Sequence, residues 1–205
     1  MTGLKLIVGL GNPTPRYEKT RHNAGFWFVD RVSRDLGFAL SDDSRFHGVV
    51  GRGEFQGRPI LLLKPMTYMN RSGVSVASIR NYFKIGPEEI LVAHDELDLP
   101  AGMVRLKRGG GHGWHNGLRD IIAHLGGAEF YRLRFGVGHP GNKWEVTDYV
   151  LGTPSKSEEA SLDSAMVDAL AELPWMLRGE FSAVMNRLNS NADKASKKTG
   201  EQENG

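Results

Sequence analysis

Cysteine is absent from all 205 positions, which excludes disulfides, thiolate-held zinc and a cysteine nucleophile together. Any nucleophile must then be oxygen-based. No apolar run approaches the ~20 residues needed to span a bilayer, so no membrane segment is expected. The start, Met1-Thr-Gly-Leu-Lys-Leu-Ile-Val8, enters a strand-like segment without a basic leader, apolar stretch and small-residue cleavage site, and a cytoplasmic protein is expected. Strong net charge is missing too. The formal value of +2 is too small to argue by itself for a nucleic-acid partner.

What is present fits one globular domain. The length can bury a full core, and the 40% hydrophobic and 24% charged fractions are ordinary. The charges, however, are unevenly spread. Between Met103 and Lys143 lie Arg105, Lys107, Arg108, Arg119, Arg132, Arg134 and Lys143, against Asp120 and Glu129 alone. Such a run is usually a solvated face, but a phosphate-binding footprint needs the same clustering. Within it, Gly109-Gly-Gly-His-Gly-Trp-His-Asn-Gly117 reads as a flexible polar hairpin, whose glycines let backbone approach a ligand and whose imidazoles and carboxamide can move protons.

Hydrophobic spacing sets out the elements. Leu4 to Gly9 reads as a strand, and Pro13 and Pro15 forbid an immediate helix after it. Phe26, Val29, Val32 and Leu36 recur at helical spacing up to Gly37. His47 to Glu54 and Arg58 to Lys64 flank Gln56-Gly57 as a hairpin, and Ser72 to Phe83 forms a second helix. Glu89 to Asp95 is a buried strand ending on its acid, Val104 to Lys107 a further strand, Gly117 to Leu125 a helix and Tyr131 to Gly138 a strand. Ser155-Lys-Ser-Glu158 is a capping box for a long helix that Pro174 should break or kink, with a second piece reaching about Leu188. Alternating strands and helices predict an α/β domain over residues 1–188: a twisted mixed sheet flanked by helices, with a cleft at the strand ends. Residues 189–205 are polar and expected to be disordered.

Several chemistries fit poorly. Gly9-Leu-Gly11 opens like a dinucleotide fingerprint, yet Thr14 stands where the third glycine belongs. No Lys-Ser/Thr pair ends the glycine run, which argues against a Walker-type loop. Gly73-Val-Ser-Val-Ala77 lacks the second glycine of a nucleophile elbow and lies in a helical pattern, making Ser75 structural. His112, His115, His139 and Asp95 could bind a metal, but their spacing is not diagnostic, and loop hydrogen bonding is the expected role of His112 and His115. A better constellation sits at element ends: Asn12, Tyr17, His22, Tyr68, Met69, Asn70, Asp95 and Asn116. Alone, each has an ordinary explanation as cap, turn or surface residue. Together they supply what acyl transfer to water needs: a base, an orienting anion and neutral donors for an oxyanion.

At these positions the chain resembles the bacterial peptidyl-tRNA hydrolases, which cleave the ester between a nascent peptide and tRNA. The motifs are Val8-Gly-Leu-Gly-Asn-Pro13, Tyr17 with Thr20-Arg-His-Asn-Ala-Gly25, Leu63-Lys-Pro-Met-Thr-Tyr-Met-Asn-Arg-Ser-Gly73, His94-Asp-Glu-Leu-Asp-Leu-Pro100, Gly109 to Gly117, and Gly136-Val-Gly-His-Pro-Gly141. They occur in the family's order and cover Leu4 to about Leu188. The resemblance implies hydrolysis of peptidyl-tRNA to peptide and tRNA, in a monomer needing no metal, organic cofactor or obligate protein partner. It implies His22 as catalytic base, consistent with an imidazole's ordinary pKa of ~6.5, and Asp95 as its orienting acid. Asn116 and Asn70 would position and donate, and Asn12 would distinguish a blocked from a free amino group. Tyr17, Tyr68 and Met69 would line the cleft, and Arg105, Lys107 and Arg134 would meet tRNA phosphates. Two positions depart from the pattern: Trp114 stands where a small residue, usually glycine, is expected, and Arg105 replaces a lysine. Two other classes remain, an RNA-binding protein without hydrolysis and a metal-dependent amidase or esterase using His112, His115 and Asp95.

Overall fold

The computed structural model describes residues 2–190. Strand β1 (Leu6–Gly9) leads into helix α1 (Ala24–Leu36), and β2 (Leu40–Asp43), β3 (Gly48–Phe55) and β4 (Arg58–Pro65) precede α2 (Ser72–Phe83). Next come β5 (Ile90–Glu96), β6 (Val104–Arg108), α3 (Asn116–Leu125) and β7 (Tyr131–Gly136), then α4 (Val146–Val150) and α5 (Lys156–Arg178). Residues 181–190 are helical as well. The seven strands form one sheet in the order β2-β3-β4-β1-β5-β7-β6. Its centre, β4-β1-β5-β7, is parallel, and antiparallel pairs extend it at both sides.

Side-chain alternation along the central strands decides what packs where. Ile7, Leu91 and Ala93 face the cluster built on Phe28, Val29 and Val32 of α1 and on Leu162, Ala165, Met166 and Leu173 of α5. Leu6, Val8, Ile90 and Val92 face the opposite cluster, with Val76 and Ile79 of α2 and Leu118 and Ile121 of α3. Both faces of β1 and β5 are therefore covered, which is why those strands read as unbroken apolar runs. The helix after β1 lies on one face and the helix after the adjacent β4 on the other, so their connections diverge and open a crevice beyond the strand ends. Gly25 makes the close approach there. A Cβ on it would fall 2.3 Å from both the Ala93 carbonyl oxygen and the Leu10 nitrogen.

The glycine run connects β6 to α3, the strand and helix expected on either side of it. Two local expectations change. Pro174 lies inside α5, which continues to Arg178 and stops at Gly179 (φ 87°). Proline removes one helical hydrogen bond, but Leu173, Met176 and Leu177 are buried in the core around it, holding both sides of the position against the sheet. Asn189 and Ser190, assigned by composition to the tail, belong to the helical segment. The Asn189 carboxamide accepts from the Leu106 N–H and donates to the Leu106 carbonyl on edge strand β6, both at 3.3 Å. The rest of the expected tail lies outside the described residues. The polar β2 was not foreseen, because an edge strand with exposed Ser41 and Asp42 carries no hydrophobic alternation.

Candidate active site

The segment carrying His22 is fixed on both sides before the imidazole does anything. Arg21 reaches the Glu158 carboxylate at 3.0 and 2.9 Å and the Tyr149 carbonyl at 3.1 Å, tying the turn to α5 and α4. Asn23 accepts from the Asn12 N–H at 2.8 Å and returns its amide to the Asn12 carbonyl at 3.1 Å. This reciprocal pair locks the loop after β1 to the turn before α1. The Asn12 side-chain oxygen in turn accepts from the Met69 N–H at 2.9 Å, bridging the crevice between the ends of β1 and β4. With Oδ1 so engaged, the Asn12 amide nitrogen is the group left for a ligand.

Asp95, 3% exposed near the end of β5, sits between two imidazoles. His22 Nδ1 lies 2.9 and 3.0 Å from its two oxygens, and His115 Nε2 lies 2.9 Å from Oδ1. His115 also caps α3, its Nδ1 accepting from the Leu118 N–H. That bond puts the ring proton on Nε2, where it donates to Asp95. Burial, followed by the attraction of Asp95, sets the His115 pKa, and the balance leaves it below the ordinary imidazole value. Burial also pushes the Asp95 carboxyl up, but the flanking imidazoles outweigh it and hold the group below the usual carboxylate range. Asp95 is thus ionised and His115 neutral at physiological pH. With His22 Nδ1–H given to the carboxylate, Nε2 is the His22 atom that can take a proton. The next residue back, His94, donates from Nδ1 to the Asp95 carbonyl at 2.6 Å, and burial drives its pKa well down.

His22 and Asp95 open onto a cavity of about 420 Å³ that Asn12, Tyr68, Met69, Asn70 and Asn116 also line. Tyr17 is not among its lining residues. It lies in the turn Pro15–Tyr17, where its carbonyl accepts the Thr20 hydroxyl. Asn116 is the first residue of α3, whose cap is His115. His115, assigned in the sequence only to loop bonding, is a member of the central cluster. Its position three residues before Leu118, at the start of an apolar helical pattern, was the available local signal.

The metal set His112, His115 and Asp95 is not assembled. Among the described residues the ligand atoms that converge, within 4.8 Å, belong to His22, Asp95 and His115. Both imidazoles approach Asp95 at N–H···O distances, and a metal would have to displace the His115 Nε2 proton that the helix cap specifies. His139 instead accepts from the Gly141 N–H in an exposed turn.

The predicted phosphate ligands occupy one surface. Arg105 faces Arg134 and Lys107 faces Arg132 across the β6-β7 ladder, so alternation puts all four on the sheet face opposite Leu106 and Leu133. Arg132 is buried and turns its guanidinium to the Gly110 and Gly111 carbonyls, bracing the glycine loop. Arg134 donates to Glu96 at 2.9 Å. Burial and then the charges of Arg134 and Arg132 lower the Lys107 pKa, a sign of crowded cations.

The family model described as peptidyl-tRNA hydrolase matches residues 6–198. A peptidyl-tRNA hydrolase of Azotobacter vinelandii is 56% identical over 191 residues, 93% of this chain and 98% of that protein. One from Acinetobacter baumannii (strain AYE) is 50% identical over 190 residues, with the same coverage. The crystal structure of the Acinetobacter baumannii peptidyl-tRNA hydrolase superposes with a TM-score of 0.90 at 50% identity, covering 92% of this chain and 96% of that one. Among the described residues no helix is long and apolar enough to cross a membrane. A single mixed-sheet α/β fold, a buried His-Asp-His cluster at its strand ends and these matches over nearly the whole chain have one common meaning: the protein belongs to the peptidyl-tRNA hydrolase family.

Proposed function

We propose that this chain hydrolyses the ester bond of peptidyl-tRNA in the cytoplasm, acting as a monomer through one catalytic domain, without a metal or cofactor. His22 Nε2 takes a proton from water as its oxygen attacks the ester carbonyl carbon. Asp95 stabilises the imidazolium so formed without accepting the proton itself. Asn116 and Asn70 donate to the developing oxyanion. Collapse breaks the bond to the ribose oxygen, which recovers the proton from His22. The products are tRNA, returned to translation, and a peptide acid that loses its remaining proton to solvent as the free carboxylate. Asn12 offers its amide to a peptide carbonyl at a place where a free ammonium would be desolvated without a matching anion. That preference selects blocked over free aminoacyl ends.

The carrying observation is the pairing of His22 Nδ1 with buried Asp95 beside the cavity. The test compares N-blocked with unblocked aminoacyl-tRNA, each with and without chelator. Cleavage of the blocked form, unaffected by chelator and much slower for the unblocked form, is expected. Activity lost on chelation and restored by zinc would replace this proposal with a metal-dependent one.

RNA affinity is assigned to Arg105, Lys107 and Arg134. Neutralising phosphates releases counterions, so binding weakens as salt rises. Lys107→Ala is expected to weaken tRNA binding and to reduce the slope of log affinity against log salt by ~1, the share of one phosphate contact. An unchanged slope in filter binding over a range of salt concentrations would remove Lys107 from the interface.

A further inference from the structure

Trp114 lines this cavity, and the chemistry above gives it no task. It lies in a turn closed by the His115 N–H on the His112 carbonyl at 2.9 Å. Both central residues have positive φ, 53° at Gly113 and 66° at Trp114. This is the φ pattern of a type I′ turn, whose central positions favour Gly, Asn and Asp, and a bulky residue there is strained. The other non-glycine residues of positive φ serve local roles: His47 and Lys84 end helical turns, and Gln56 makes the β3-β4 turn. Trp114, like Gln56, is a central residue of a tight turn, but here the turn stands at the cavity. Its side chain lines the cavity yet is 87% exposed, and among the described residues it has no hydrogen bond, ring stack or cation contact. Among the described residues no such contact offsets the strain.

We propose that Trp114 is a specificity residue, a platform on which the base of the 3′-terminal tRNA nucleotide stacks. This role rests on the peptidyl-tRNA hydrolysis proposed above. Two observations favour a base over a peptide side chain. The turn is joined to the cationic β6-β7 face through Arg132, which holds the Gly110 and Gly111 carbonyls, and exposed Arg119 follows it on α3. An aromatic face between cations is the composition of single-stranded nucleic-acid sites. The cavity separately provides an apolar lining at Met69, Val146, Val150 and Leu151, suited to the peptide. Bracing by Arg132 holds the start of the loop that carries the indole.

The experiment measures the Kd of deacylated tRNA, intact or lacking its 3′-terminal nucleotide, for the wild type and for Trp114→Ala, Trp114→Gly and Trp114→Phe. Trp114→Ala and Trp114→Gly are expected to bind intact tRNA ~5- to 100-fold more weakly. Trp114→Phe should retain most of the affinity. On the shortened tRNA all four proteins should bind alike. Trp114→Gly should also raise Tm, since glycine relieves the turn, which separates lost binding from lost folding. Undiminished binding of intact tRNA by Trp114→Ala, or a loss that persists on the shortened tRNA, would overturn the proposal. So would a loss visible only in cleavage, varying with the peptide's first side chain, because the indole would then contact peptide. Cleavage of N-blocked aminoacyl-tRNA by the wild type is measured in parallel. If it proceeds while Trp114 substitutions change nothing, stacking alone falls; if it is absent, the hydrolytic function falls and the stacking role with it.

Discussion

Replacing His22 by asparagine is expected to slow cleavage of N-blocked aminoacyl-tRNA by ~10²–10⁴-fold, the usual worth of a positioned general base. The carboxamide can still donate to Asp95, as His22 Nδ1 does at 2.9 Å, so the buried carboxylate keeps a partner and the fold should survive. What disappears is the second ring nitrogen. Arg21 and Asn23 hold the turn through their own bonds to Glu158 and Asn12, independently of the imidazole. A small change in Tm together with a large fall in kcat/KM is therefore the expected pattern. Alanine is the less informative substitution, because it leaves a buried charge short of a donor.

Asp95→Asn should cause a loss of similar size for a different reason. Asp95 Oδ1 accepts from His22 and His115, while Oδ2 faces His22 alone at 3.0 Å. The cap on α3 pins the proton of His115 on Nε2, so a carboxamide oxygen is drawn to the Oδ1 position. Its NH2 group then meets His22 Nδ1, where two N–H groups oppose each other unless the imidazole changes tautomer. The changed tautomer carries its proton on Nε2 and has no lone pair for water. In other His-carboxylate pairs such a tautomer error costs ~10⁴ in turnover, and ~10²–10⁴ is expected here. The effect should fall on kcat in steady-state kinetics, with tRNA binding retained, since the cationic face lies on β6 and β7. A variant with normal kcat would show that Asp95 does not orient the base.

The fold was largely readable because its central strands are buried on both faces. Leu6 to Gly9 and Ile90 to Ala93 had to be apolar runs wherever they lay, and Gly37, Gly126 and Gly179 stop α1, α3 and α5 in left-handed conformation. Elements lacking such signals were missed: polar edge strand β2, and α4 with its five residues. Pro174 does not end α5, because burial around it outweighs a missing hydrogen bond; the break before the second helical piece, 181–190, falls at Gly179.

Site residues were legible to the extent that their contacts leave local marks. His22, Asp95, Asn12, Tyr68 to Asn70 and Asn116 all end or begin elements, and the sheet brings those ends to one crevice. The role of His115 left little trace. Its partner stands 20 residues earlier on β5, and their meeting depends on α1 and α3 covering opposite faces of the sheet. Tyr17, near the site in sequence, lies in the Pro15–Tyr17 turn and is not among the residues lining the cavity. The cationic segment was visible as composition, but only strand register separates its members. It sets Arg105, Lys107, Arg132 and Arg134 on one face and assigns Arg132 to bracing the loop.

Chemical rescue probes the base assignment at its root. Turnover of N-blocked aminoacyl-tRNA by His22→Gly is measured as imidazole is added, in the space the ring vacates beside the cavity. Cleavage should be nearly abolished at first and climb with imidazole concentration, while the wild type gains nothing. Wild-type turnover by His22→Gly in the absence of imidazole would mean that another group deprotonates the water.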